Sequence, residues 1–208
     1  MPRNAYAQLL FTDSVRAEQT DAGSRAAYAR QAQGRATNDR LGPDEVGFIA
    51  AQDHFFFATL GETGYPYIQH RGGRPGLLNV IDAHTVAFAD VQGNRQYISV
   101  GNLRRNDRVS LLLLDQAARA RLKLAGRARL VTPGAEPELL ARLSVGVDGK
   151  VERAIVVTVE ALDWNCPQHI TPRYTAQEVE AAVEPLRARI RELEAQLKVV
   201  HPAATSQR

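Results

Sequence analysis

The amino-acid sequence predicts a mainly β domain with flanking helices, on three observations. Seven short apolar or alternating stretches, at 54–60, 65–70, 77–82, 85–88, 108–114, 122–131 and 154–162, are mostly bounded by Gly, Pro, Asn or Asp. The connections Gly61-Glu62-Thr63-Gly64 and Asp82-Ala83-His84 are hairpin-sized, whereas parallel crossovers need more chain. Little helix-periodic sequence separates the stretches, so the expected sheet is antiparallel and barrel-like.

Taken in order, residues 1–42 are polar and rich in Ala and Arg, with apolar positions at Leu9, Leu10, Val15 and Tyr28. They predict a helical N-terminal extension of short helices lying against something else. Gly42-Pro43-Asp44-Glu45 starts a helix running to about Gln52, with Pro43 in its first turn and acids at its positive end. The barrel domain is expected over 43–173, with a short capping helix at 136–143 before the Val147-Asp148-Gly149-Lys150 turn. Within it, a helix after Asp90 would place Ile98, Val100, Leu103 and then Val109 near a common side, ahead of the apolar run Leu111–Leu114. Over 174–200, Val179, Val183, Leu186, Ile190, Leu193 and Leu197 alternate four and three apart, which is a heptad seam. That helix either folds onto its own subunit or packs on a partner chain; Pro185 interrupts it and fewer than four heptads are present. Residues 201–208 have nothing to bury and are expected to be disordered.

With 208 residues and 44% hydrophobic content, the chain supports one domain and its appendages rather than two domains. Lys plus Arg total 26 against 23 for Asp plus Glu, a formal charge of +3, so the protein is no polycation. The single cysteine, Cys166, excludes an internal disulfide. No apolar run reaches the length of a membrane span and the N-terminus lacks the apolar core of a signal peptide, so a cytoplasmic location is expected.

The most informative stretch is Asp90–Leu114, where Gly93-Asn94-Arg95 sits between an apolar strand and a helix. Helix N–H groups, the Asn94 amide and the Arg95 fork would together satisfy a phosphate, although the same residues also make an ordinary turn. A second constellation, Gln69 to Gly76, reads as a loop whose arginines Arg71 and Arg74 stand among three glycines; it is either an anion cradle or a solvated connection. Arg119, Arg121, Lys123, Arg127 and Arg129 would share one strand face. That stripe is either an edge-strand device or an anion site, and with only 6% aromatic residues a small anion is preferred over nucleic acid. Finally, Trp164 to Arg173 carries recognition groups or simply closes the barrel end, and Cys166 reads better as a small buried residue than as a nucleophile. The five histidines show no metal-ligand spacing, and no Walker loop, dinucleotide fingerprint or nucleophile elbow is present.

Arg74-Pro75-Gly76-Leu77-Leu78-Asn79, Gly93-Asn94-Arg95-Gln96, Ala120 to Gly126, and Trp164 with Arg173 together resemble, in order and spacing over about 45–173, the FMN-binding split-barrel superfamily of pyridoxamine 5'-phosphate oxidase. The phrases HRGGRPGLLNVID, GNRQYISVGNL, RLKLAGRARL and DWNCPQHITPRY look like its bacterial group of related flavin-nucleotide-binding proteins. The resemblance implies a split β-barrel homodimer with FMN at its interface. Arg74, Leu77 and Asn79 would line the flavin, Asn94, Arg95 and Gln96 would hold its phosphate, and Ser99 would stand nearby. It also implies that Arg121 takes the place of a glutamine near the flavin and that Trp164 and Arg173 come from the second subunit; a positive side chain near the pyrimidine end of the ring would be either Arg121 or Lys123. The chain departs from the oxidases where Asn79 and Gln96 replace two lysines, and in lacking the Arg-x-His pattern that recognises pyridoxal near the C-terminus. The expected function is therefore that of an FMN-dependent oxidoreductase between a small-molecule electron donor and acceptor, not of an enzyme acting on pyridoxamine phosphate. A non-catalytic flavin carrier or sensor, a haem-binding relative and a nucleic-acid-binding module are the alternatives.

Overall fold

The computed structural model describes residues 4–32, 38–165 and 167–200. Cys166 and the tail expected to be disordered lie outside the described residues. Three short helices come first: α1 (Ala5–Leu10), α2 (Asp13–Asp21) and α3 (Arg25–Ala32). Side chains start the first two, Asn4 Oδ1 accepting the Ala7 N–H at 3.0 Å and Thr12 Oγ1 that of Val15 at 3.4 Å. Ala7 is buried and the Lys123 ammonium stands 5.9 Å from the Tyr6 ring centre, so α1 does lie on the sheet. Leu9, Leu10, Val15 and Tyr28 nevertheless stay more than a third exposed, because such short helices cover only one narrow stripe.

Next come α4 (Pro43–Ala51), β1 (His54–Leu60), β2 (Pro66–Gly72), β3 (Asn79–Asp82), β4 (Thr85–Val91), α5 (Ile98–Leu103), β5 (Arg108–Asp115), β6 (Ala120–Val131), α6 (Pro137–Leu143), β7 (Val151–Asn165) and α7 (Ala176–Val200). The seven strands form one antiparallel sheet in the order β2-β1-β5-β6-β7-β4-β3. Among the described strands the edges β2 and β3 do not pair with each other, which makes the expected barrel a split one. Both hairpin connections form as read: Gly64 N–H reaches Gly61 O at 2.9 Å, and His84 N–H reaches the Asp82 carboxylate at 2.7 Å.

The main core gathers Phe55, Phe57, Phe88, Leu111, Leu122 and Ile155 from the strands together with Ile49 of α4. Phe88 receives Phe55 and Phe57 edge-on at 5.0 and 5.4 Å. A smaller cluster on the opposite face places Ala154 and Val156 under Leu143 of α6, so this stretch of β7 is covered on both sides. Between β6 and β7 the register shifts at Ala125/Gly126, and a Cβ on Gly126 would stand 2.0 Å from the Thr158 carbonyl oxygen, leaving glycine as the residue that fits.

Several expectations are corrected. Gln69 to Gly72 belong to β2, so the glycine-rich loop is shorter than the sequence suggested. Ile98 is 40% exposed, and Ser99 takes its place beside Val100 and Leu103 on the buried face of α5. Arg119 sits in the turn before β6 with φ 56°, not on the strand face. Pro185 does not interrupt α7, which runs through it from Ala176 to Val200: the proline's φ is helical, and the cost is one missing N–H and crowding of the carbonyl four residues back.

Candidate functional site

Two clefts open on either side of Arg71. The larger, a cavity of about 340 Å³, lies between the Gly72–Leu77 loop, Asn79 and Phe88 on one wall and Val145 to Asp148 on the other. The smaller, about 210 Å³, is enclosed by Tyr67, the Gly93–Val100 turn and helix start, and Glu152. Gln69, Arg71 and Val91 line both.

Strand alternation builds the divide. On β4, Val86, Phe88 and Asp90 point the same way, so a carboxylate stands in line with core side chains and is only 6% exposed. A buried carboxylate requires a cation, and β2 supplies one: Arg71 Nη1 donates to Asp90 Oδ1 at 2.8 Å. Arg153 Nε approaches the other Asp90 oxygen at 3.4 Å, and its Nη2 donates to Glu152 Oε2 at 2.6 Å. The Tyr97 hydroxyl donates to Glu152 Oε1 at 3.0 Å, with the Arg153 guanidinium 5.1 Å from the Tyr97 ring centre. Arg95 stands near this pair, and its pKa is raised first by the neighbouring Tyr97 hydroxyl and then by the Glu152 carboxylate. Arginines and carboxylates thus alternate from β2 to the turn, with Arg95 at the exposed end.

The turn is strained. Arg95 and Tyr97 both adopt left-handed backbone, at φ 62° and 52°, a cost of about 1–3 kcal/mol each that persists where the surroundings demand it. Asn94 Oδ1 accepts the Gln96 N–H at 3.1 Å, so the Asn94 carbonyl shapes the turn. Ser99 is buried and its hydroxyl donates to Gln69 Oε1 at 3.2 Å, fixing the floor of the smaller cleft. In the larger cleft Arg74 faces Asp148 across the rim at 3.4 Å, both well exposed, and the Asn79 amide donates to Gly76 O at 3.1 Å.

The structure therefore brings Arg74, Leu77 and Asn79 into one cleft, and Asn94, Arg95, Gln96 and Ser99 into the other. Arg121, Lys123, Trp164 and Arg173 line neither. The Trp164 indole donates to Glu45 Oε1 at 2.6 Å and meets Phe48 edge-on at the start of α4. The cleft loop instead bonds Gln52 and Asp53 past the end of that helix, about 10 Å further along its axis. Arg121 and Lys123 sit at the opening of β6, and Arg173 is exposed beyond β7. The basic face of β6 is largely neutralised: Arg127 is bound by Asp107 and Glu160, and Arg129 by Glu136. Of the shared wall the sequence reading had Gln69 and Arg71, as loop residues; Asp90, Tyr97, Glu152 and Arg153 were missed. The signal for Asp90 was present, an acid in phase with Val86 and Phe88 on an apolar strand.

One feature of the wall tests whether a flavin nucleotide fits. Arg71 Nε is buried and has no hydrogen-bond acceptor among the described residues. A ligand offering phosphate and carbonyl oxygens would supply one, and the larger cleft is within the roughly 300–1,000 Å³ usual for such ligands. The residues present fit the group.

A model of the family described as pyridoxamine 5'-phosphate oxidase matches residues 42–163. No curated protein matches the chain. Among solved structures, HupZ of Group A Streptococcus aligns over 64% of this chain and 99% of its own at 18% identity, with a TM-score of 0.51. A Clostridium acetobutylicum protein of the pyridoxinephosphate oxidase family, related to general stress protein 26 of B. subtilis, aligns over 65% of this chain and 94% of its own at 19% identity, with a TM-score of 0.45. With more than half of its length matched by the family model and a split barrel beneath the match, the chain belongs to the pyridoxamine 5'-phosphate oxidase family of flavin-binding, oxidoreductase-type proteins.

Proposed function

We propose that the protein is a cytoplasmic, homodimeric, FMN-dependent oxidoreductase whose substrate is not pyridoxamine phosphate. The observation that carries this reading is the pair of clefts sharing Arg71, with a buried donor lacking an acceptor at their divide. Arg95, Asn94 and Gln96 would hold the FMN phosphate at the strained turn, with Ser99 orienting Gln69 toward the ligand. Arg74, Leu77 and Asn79 would line the ring, and Arg74 can leave Asp148 cheaply because that pair is exposed. Bound flavin would supply hydride or electron transfer between a small-molecule donor and acceptor.

The second subunit would contribute Arg121, Lys123, Trp164 and Arg173. An apolar sheet face supports this: Phe56, Ala58, Ile68, Leu112 and Ala125 line a shallow depression of about 440 Å³ beside Lys123, and Ile68 is 64% exposed. Among the described residues no helix is long and apolar enough to cross a membrane.

The test is an FMN titration of the purified protein followed by flavin fluorescence. Arg95 is exposed, so Arg95→Ala should leave the fold intact. It should weaken FMN binding by about tenfold or more, the worth of a charged hydrogen bond to phosphate. An unchanged dissociation constant would remove Arg95 from the phosphate site, and no retained flavin at all would sink the reading.

A further inference from the structure

α7 carries a long apolar stripe that nothing among the described residues covers. Its 25 residues run unbroken from Ala176 to Val200. Along one stripe Val179 is 48% exposed, Leu186 64%, Ile190 54%, Leu193 41% and Leu197 60%. We propose that this helix pairs with α7 of a second copy of the chain as a parallel, in-register, two-stranded coiled coil. The pairing uses no residue of either cleft, so it stands or falls separately from flavin binding.

Heptad assignment selects the occupant and its direction. The spacing places Val183, Ile190 and Leu197 at a and Val179, Leu186 and Leu193 at d. Val183 and Ile190 at a with Leu186 and Leu193 at d give the central layers the β-branched and leucine combination that favours parallel dimers. Pro185 falls at c, away from the seam, where its missing donor does not meet the partner. The flanks point the same way. Glu180, Arg187 and Glu194 occupy e, while Ala182, Arg189 and Gln196 occupy g. In a parallel pair each g residue faces the partner's e residue five positions on, which sets Arg189 against the partner's Glu194 twice, once on each side. Within its own chain Arg189 already has Glu192, whereas Glu194 has no ion pair among the described residues. An antiparallel pair centred on the same seam would set e against e and g against g. That would bring Arg187 to Arg187, Glu180 to Glu194 and Arg189 to Arg189, all like charges, which disfavour the arrangement.

The test is disulfide trapping in the full-length chain with Cys166→Ser. Leu193→Cys, at d, should convert most of the protein to a covalent dimer under mild oxidation, while Ala188→Cys, on the opposite face at f, should stay largely monomeric. Arg189→Glu added to Leu193→Cys should suppress the cross-link, and further addition of Glu194→Arg should restore it. Equal trapping at 188 and 193, no trapping at 193, or no restoration by the charge swap would each overturn the proposal. Trapping only in a mixture of Val183→Cys and Leu193→Cys would establish the antiparallel pair and overturn it too. FMN titration of the same variants separates this outcome from the fate of the flavin reading.

Discussion

Arg71 has only 14% of its side chain exposed and Asp90 8%, so their ion pair is buried enough for loss of one partner to matter. Removing one member of such a pair usually costs about 3–5 kcal/mol, because the other is left buried and uncompensated. Here Arg153 still approaches Asp90, so the lower end of that range applies. Arg71→Ala is expected to lower the unfolding free energy by about 3 kcal/mol in urea titration, and Arg71→Ala with Asp90→Ala should cost less than the two singly. A loss below about 1 kcal/mol would mean that Arg153 alone satisfies Asp90. The two halves of this site were unequally legible in the sequence. The turn residues Asn94, Arg95 and Gln96 are adjacent, and Gly-Asn announces a turn directly. The Arg71–Asp90–Arg153 wall depends on which residues of β2, β4 and β7 come side by side, and alternation along one strand gives its face but not its neighbours.

At the scale of elements, the β6–β7 ladder turns on one residue. Since a Cβ on Gly126 would collide with backbone at Thr158, not with a movable side chain, the strand itself must shift. Gly126→Ala should therefore destabilise by about 2 kcal/mol or more, within the usual cost of overpacking. Thermal melts should fall by about 4–8 °C, and a melt within 1 °C or so of the parent would show that the bulge relaxes freely. Element boundaries were readable where breakers flank a run. β1 matches its predicted 54–60 because a turn at Gly61 ends it, while β3 begins two residues later than expected because Leu77 and Leu78 anchor the preceding loop. β7 extends beyond 154–162 at both ends, through Glu152 and Arg153, whose charges masked the strand until they found partners in the wall. Pro185 misled for a different reason, because an interior proline weakens or bends a helix without always ending it.

For the whole molecule, the face of β1, β2, β5 and β6 that Tyr6 and Leu10 of α1 cover only in part bears on assembly more than on folding. A protomer that buries Ile68 and its neighbours against a second copy is stabilised by mass action. The melting temperature should accordingly rise with protein concentration across a hundredfold range, and light scattering should report twice the 22.9 kDa chain mass. A concentration-independent melt at monomer mass would leave that face without a partner in solution. The order of strands carries a different consequence, for synthesis. β7 lies between β6 and β4, and its residues Ile155, Val157 and Val159 complete the main core, yet it is the last of the described strands to be made. Until it leaves the ribosome, β4 and β6 present open hydrogen-bonding edges over a core missing one wall. A nascent chain stalled before Val151 would be prone to edge-to-edge association and a substrate for chaperones.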